Sequence, residues 1–187
     1  MNTLDQTFTD QDFSNAQFKR GEYDNCSFIN CNFEKTDIGN TSFLECHFKD
    51  CNLANAVVAN TSFKEVTFTD CKLMGVNFSK CNPFMLALEF KTCELSLASF
   101  QKLEMKNQIF YHCTLKEADF TDTILTGSAF VGCDLDRAIF KHAQLEKADF
   151  TTAEHVVLDP EDNMLEGAKF SVNNVMGLLS KYGIIVK

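Results

Sequence analysis

The apolar residues of this chain recur every fifth position. From position 8 the series reads Phe8, Phe13, Phe18, Tyr23, Phe28, Phe33, Ile38, Phe43, Phe48, Leu53, Val58, Phe63, Phe68, Leu73 and Phe78. A second series runs Phe90, Leu95, Phe100, Met105, Phe110, Leu115, Phe120, Leu125, Phe130, Leu135, Phe140, Leu145 and Phe150, and resumes at Leu165 and Phe170. All but one of the 19 phenylalanines fall in these series. A period of five matches neither the ~3.6 of an amphipathic helix nor the ~2 of a half-buried strand. The chain must therefore fold through a repeat of its own.

Two residues before each large position stands a small or slender one: Ala16, Gly21, Cys26, Cys31, Thr36, Thr41, Cys46, Cys51, Ala56, Thr61, Val66, Cys71 and Val76, then Cys93, Ala98, Cys113, Ala118, Thr123, Ser128, Cys133, Ala138, Ala143 and Ala148. Two of every five residues thus point inward, and the core reuses a few kinds of position, as repeat architectures do. Segments such as ADFTD (118–122), CNFEK (31–35) and CDLDR (133–137) resemble the pentapeptide-repeat family, over nearly the whole chain. The resemblance implies an all-β solenoid, a right-handed quadrilateral β-helix with four pentapeptides per coil. About eight coils at the ~4.8 Å spacing of stacked strands would make a rod of roughly 40 Å.

The register breaks twice, dividing a single domain (1–187) into sections. Twelve residues separate Phe78 from Phe90 where two repeats need ten, and Pro83, lacking an N–H, stands at an expected central position. This predicts N-terminal coils over 1–79, a kink or change of geometry at 80–89, and C-terminal coils over 90–171. Asp159-Pro160 marks a loop within 153–163. Beyond it, Ser171 can cap a helix carrying Val172, Val175, Met176, Leu179 and Tyr182 on one face, ended by Gly183 and followed by a strand of Ile184, Ile185 and Val186. Gly177 should weaken that helix by roughly 1 kcal/mol. Solenoid ends need covering, so the tail 172–187 is expected to cap the rod or pair with a second copy. LLSKYGIIVK resembles the ends of quinolone-resistance and microcin-immunity pentapeptide proteins, which implies a homodimer through Val175, Met176, Leu178, Leu179, Tyr182, Ile184, Ile185 and Val186.

Composition narrows the function. A formal net charge of −9 opposes nucleic-acid binding, which rests on Lys and Arg, and suits a basic partner. Neither a signal-peptide pattern nor a run of about eighteen apolar residues is present, so a cytoplasmic protein with reduced thiols and no membrane contact is expected. The nine cysteines occupy the small inward position or its extension and alternate there with Ala, Thr and Val. They read as buried small hydrophobes, with Cys81 beside the break the one thiol open to oxidation. His47, His112, His142 and His155 are scattered, with no ligand-spaced partners for a metal. No phosphate-binding glycine loop, nucleophile elbow or zinc-protease motif occurs. No cofactor, metal, small-molecule substrate or catalytic residue is assigned, and a non-enzymatic role is expected.

Surface charge is the informative remainder. Grouping by twenty residues puts Asp10, Asp50 and Asp70 in one column and Glu45 and Glu65 in a neighbouring one, with Asn25 and Asn30 at the equivalent places of the second coil. Asp and Asn favour turns, which alone could account for them. Alternatively, rows of carboxylates imitate duplex phosphates and dock into a basic DNA-binding saddle. One face dissents: Lys19, Arg20, Lys80, Lys102 and Lys141 outnumber Asp37, Asp119 and Asp122. The resemblance to the quinolone-resistance proteins implies DNA mimicry toward a type II topoisomerase, DNA gyrase or topoisomerase IV, with protection from quinolones or peptide toxins. The competing class is a rigid protein–protein interaction scaffold with another partner. Long projecting loops, which some resistance proteins use, are absent from the pattern.

Overall fold

The computed structural model describes residues 2–15 and 18–184. Its backbone winds as an all-β parallel solenoid in which residues about twenty apart lie above one another. One face is a sheet of β1 (Asn2–Leu4), β3 (Glu22–Asp24), β5 (Ser42–Leu44) and β7 (Ser62–Lys64). The next face carries β2 (Thr7–Thr9), β4 (Ser27–Ile29), β6 (His47–Lys49), β8 (Val66–Thr69), β9 (Leu88–Lys91), β10 (Ile109–Tyr111) and β11 (Ala129–Val131) in one seven-stranded sheet. The other two faces are held by single-residue bridges, such as Asp12 to Asn32 to Asn52 to Lys72, and Asn77 to Ser99 to Asp119 to Ile139.

The chain folds this way because each repeat supplies one extended stretch and one corner. At the corners, Asp5, Asp10, Asn25, Asn30, Asn40, Asp50 and many others hold φ near +50 to +55°. That left-handed region is costly for most L-residues and least so for Gly, Asn and Asp. Inward, the large residues form columns. Rings from Phe8 through Phe28, Phe48, Phe68, Phe90, Phe110, Phe130 and Phe150 to Phe170 stack with centroids 4.7–5.7 Å apart. Rings of adjacent faces meet edge to face, as Phe110 does with Phe120 at 80°. Each buried phenylalanine contributes about 1.5–3 kcal/mol. The seven strands of the longer sheet span about six turns, so the coil count differs slightly from the expected eight.

The small inward residues do more than fill space. The Sγ of Cys51, Cys71 and Cys133 points at the carbonyls of Phe28, Phe48 and Phe110 at 3.3 Å. Thr61 Oγ1 donates to Ile38 O at 3.0 Å and Thr123 Oγ1 to Phe100 O at 2.9 Å, twenty-three residues back in each case. Cys, Thr and Ser interchange here because each can reach that carbonyl. All nine cysteines are buried, Cys81 included, so the sequence-based expectation of an oxidisable Cys81 is corrected. The residue lies in register, in front of the inserted pair.

The insertion falls after Asn82. Pairings twenty apart, such as Ser62 to Asn82, become twenty-two apart at Val66 to Leu88 and Phe68 to Phe90, and twenty apart again at Phe90 to Phe110. Asn82 Oδ1 accepts from the Phe84 N–H at 2.9 Å, and the bulge turns Phe84 and Met85 outward, 67% and 64% exposed.

The C-terminal tail corrects the sequence reading in part. Ser171 Oγ does accept from the Asn174 N–H at 3.1 Å, but residues 172–174 are turns, and the helix is a 3-10 helix over Val175–Tyr182, with Val172 outside it. Gly183 ends it at φ 62°. The tail docks closely on the last coil: a Cβ on Gly177 would lie 1.7 Å from Val156 O. Asn174 Nδ2 donates to Phe150 O and Ala153 O at 2.7 and 2.8 Å, covering two carbonyls of the last coil. Ile184 is not in a strand, while Ile185 and Val186 lie outside the described residues, as does Ala16. Between Glu154 and Asn163 the chain is irregular, yet Val156 and Leu158 are buried. The amide of Asn163 replaces a rung there, accepting from Ala143 N at 2.9 Å and donating to Phe140 O at 3.0 Å.

Candidate partner-binding surface

The five carboxylates singled out from the sequence are brought together on one side of the rod. Glu45 and Glu65 stand at the corner that enters the seven-stranded face, and Asp10, Asp50 and Asp70 at the corner that leaves it, with φ of 51–55° at all five. The two columns are therefore the two edges of the face built from β2, β4, β6 and β8. The sequence reading missed Asp5, which heads the Glu45–Glu65 column at φ 53°; its signal was its place twenty residues before Asn25. Asn25 Nδ2 donates to Asp5 Oδ1 at 2.7 Å and Asn30 Nδ2 to Asp10 Oδ1 at 2.6 Å. The second coil thus supports the carboxylates of the first without neutralising them.

These corner carboxylates differ from the acids on the flat faces. Among the described residues none of Asp5, Asp10, Glu45, Asp50, Glu65 and Asp70 forms an ion pair. Elsewhere acids are engaged: Asp37 with Arg20, Asp134 with Lys116 and His155, Asp149 with Lys169. Many also accept from the N–H two residues on, as Asp149 Oδ1 does from Thr151 at 2.9 Å. The Thr151 hydroxyl and N–H hold the Asp149 carboxyl below its ordinary value. These flat-face acids are thus parts of the fold, whereas the six acids of the two columns face solvent without a cation among the described residues; the corner acids Glu117 and Asp122, further along the rod, are paired with Arg137 and His142. Turn chemistry explains an Asp or Asn in the left-handed region, but it gives Glu45 and Glu65 no advantage there.

The dissenting face keeps its character. Arg20 pairs with Asp37, while Lys80, Lys102 and Lys141 join no ion pair among the described residues. It lies across the rod from the seven-stranded face, so the molecule is electrostatically two-sided. The tail residues form an apolar surface at the C-terminal end. Val175, Met176, Leu179, Tyr182 and Ile184 are 37–57% exposed, while Leu178 packs partly against the core. No described group of His, Cys, Asp and Glu side chains could hold a metal ion, and no helix among the described residues is long and apolar enough to cross a membrane.

A regular parallel solenoid of five-residue repeats, with large and small inward residues alternating around it, defines a class of protein that presents its faces. Within that class the chain belongs to the pentapeptide-repeat family: "Pentapeptide repeat region" matches residues 22–100 and "Pentapeptide repeats (8 copies)" residues 113–151. No curated protein sequence matches it. The fold is similar to solved structures of QnrB1, described as a plasmid-mediated fluoroquinolone resistance protein. A trypsin-treated variant aligns over 100% of both chains with 20% identity and a TM-score of 0.65. The full-length form aligns over 98% of this chain and 100% of that one with 19% identity and a TM-score of 0.64. At such identity the likeness establishes the fold.

Proposed function

We propose that this protein is a non-catalytic DNA mimic that occupies the basic DNA-binding groove of a type II topoisomerase, DNA gyrase or topoisomerase IV. The observation that carries the reading is the pair of unpaired carboxylate columns edging one face. Six carboxylates, Asp5, Asp10, Glu45, Asp50, Glu65 and Asp70, lie over four successive rungs, a length of about 15 Å at ~4.8 Å per rung. That is roughly one charge per 2.5 Å, against about 1.7 Å for duplex DNA. The comparison supports mimicry of charge density, and the flat face between the columns lets both edges reach a groove at once. The fluoroquinolone resistance described for QnrB1 points to quinolone protection as the biological readout, with peptide-toxin protection as its counterpart. The exposed tail supports a homodimer through Val175, Met176, Leu178, Leu179, Tyr182 and Ile184, which would double the rod.

The test is DNA supercoiling by purified gyrase titrated with this protein, with and without a quinolone. Inhibition, or restored supercoiling in the presence of drug, is expected, and the combined Asp50→Lys, Glu65→Lys and Asp70→Lys variant should lose it. Indifference of gyrase and topoisomerase IV throughout would sink the reading. The rod would then be a scaffold for another basic protein, a reading favoured by one observation: Asp and Asn at left-handed corners already have a structural reason to be there.

A further inference from the structure

At the insertion the backbone ladder is interrupted on one face only, among the described residues. It runs through Ser62 to Asn82, then resumes at Glu104 to Ile124 to Gln144 to Met164, and among the described residues nothing bridges Asn82 to Glu104. The other three faces carry their ladders across the insertion, at Val66 to Leu88, Lys72 to Glu94 and Asn77 to Ser99. Bulging of residues 83–87 therefore opens a cleft of about 560 Å³ at the end of the Glu45–Glu65 column. Its floor is apolar, with Val66, Leu88 and Met105 all buried, and Ile109 stands exposed at its mouth. Its rim is acidic. Glu89 is paired with Lys91 at 3.0 Å and Glu104 with Lys106 at 2.6 Å, both on the surface, while Glu65 has no cation among the described residues.

We propose that this cleft receives an arginine side chain from an extended segment of a partner protein. A wholly apolar ligand would strip water from three carboxylates without replacing it. A small inorganic cation would make no use of the floor. An arginine satisfies both: its methylene stem covers Leu88 and Met105, and its guanidinium forks onto the Glu65 carboxylate. Glu89 and Glu104 can join, since their exposed pairs with Lys91 and Lys106 are weak and exchangeable. The site stands apart from the topoisomerase reading, because any basic partner laid along the acidic face would pass over it.

The probe is acetyl-Gly-Arg-Gly-amide, titrated at low salt into methyl-labelled protein, with the norleucine peptide as its uncharged counterpart. Saturable shifts are expected at the methyls of Leu88, Met105 and Ile109 with the arginine peptide alone. Glu65→Gln should weaken binding about tenfold, as loss of one charge-assisted hydrogen bond does, while Glu154→Gln, outside the cleft and the two columns, leaves it unchanged. Equal binding of the norleucine peptide, shifts spread along both corner columns, or an unaffected Glu65→Gln variant would each overturn the assignment. Because no topoisomerase enters the measurement, its failure is distinguishable from failure of the DNA-mimic reading.

Discussion

Gly177 lies so close to Val156 that a Cβ placed on it would fall 1.7 Å from the Val156 carbonyl oxygen and 2.8 Å from its carbon. The obstructing atoms are backbone and cannot swing aside. On helix propensity alone, Gly177→Ala should stabilise the tail by about 1 kcal/mol. The clash reverses the sign. Forcing a methyl into a filled site costs about 1–3 kcal/mol, so the variant should release the tail and lower the thermal midpoint. Gly183→Ala is the control: its φ of 62° brings strain, but nothing lies within 4 Å. It should cost no more than about 1–2 kcal/mol and leave the tail docked, as limited proteolysis of the two variants would reveal.

Asn174 is the polar residue that closes the last coil. Its side-chain amide donates to Phe150 O and Ala153 O, and it is buried. Asn174→Ala leaves two carbonyls without a donor, at about 1–3 kcal/mol each. Asn174→Asp should be worse at neutral pH, because a carboxylate cannot donate and would face two carbonyl oxygens. Protonation restores an O–H donor, so the Asp variant should recover stability relative to Ala as pH falls. Urea unfolding of both variants at neutral and acidic pH checks the crossover.

The tether between tail and loop gives a second pH signature. Lys181 lies 2.6 Å from Asp159 and 2.7 Å from Glu161, and its ammonium holds both carboxyls below their ordinary values of 3.8 and 4.5. Groups depressed in the folded state contribute stability above their unfolded pKa, and lose it as pH falls through the lower folded value. Lys181, raised above its ordinary 10.5 by the same partners, contributes below that value and loses its share as pH rises past its folded pKa. The tail should therefore be held firmly from about pH 5 to 10 and loosen below about pH 4. Amide exchange at Gly177, whose N–H donates to Asn174 O, would report it. A Lys181→Met variant should show the loss at every pH.

The thiols should be silent in the native state. All nine are buried, out of reach of a reagent in water, and burial also pushes Cys46 up to about 12 and Cys81 up to about 11, so these two hold little of the reactive thiolate at neutral pH. A thiol reagent at pH 8 should find no fast cysteine until urea unfolds the chain. Cys71→Thr should fold with a change under about 1 kcal/mol, because Thr61 and Thr123 already donate to the matching carbonyl elsewhere. A fast-reacting native thiol would show that the column opens locally.

The five-residue period made the inward residues legible, since each rung repeats the same local choice of large and small side chain. Tyr23, Ile38 and Leu53 are buried as their register requires, and even Pro83 announced the break. What could not be read depends on partners far along the chain. Nothing near Val156 says that the irregular stretch still turns it inward, or that Gly177 will pack on its carbonyl. Nor does the spacing of Glu45 and Asp50 reveal that both lack an ion pair among the described residues while Asp134 and Asp149 are engaged; that requires knowing which lysine stands on the neighbouring coil.

The insertion itself can be removed by design. Deleting Phe84 and Met85 leaves Cys81-Asn82-Pro83-Leu86-Ala87 as a pentapeptide in register, with Leu88 and Phe90 in their present inward positions. Two large exposed apolar residues disappear, and the strip from Asn82 onward can lie flat against the coil of Glu104. Pro83 still withholds one N–H from the ladder, so that rung stays one hydrogen bond short. The remaining groups regain partners, each worth about 0.5–1.5 kcal/mol net. The deletion variant should stay folded and unfold at or above the urea midpoint of the parent, with slower amide exchange at Glu104. Aggregation or a collapsed midpoint would mean that the break carries strain the regular repeat cannot absorb, and that the bulge belongs to the fold instead of being laid over it.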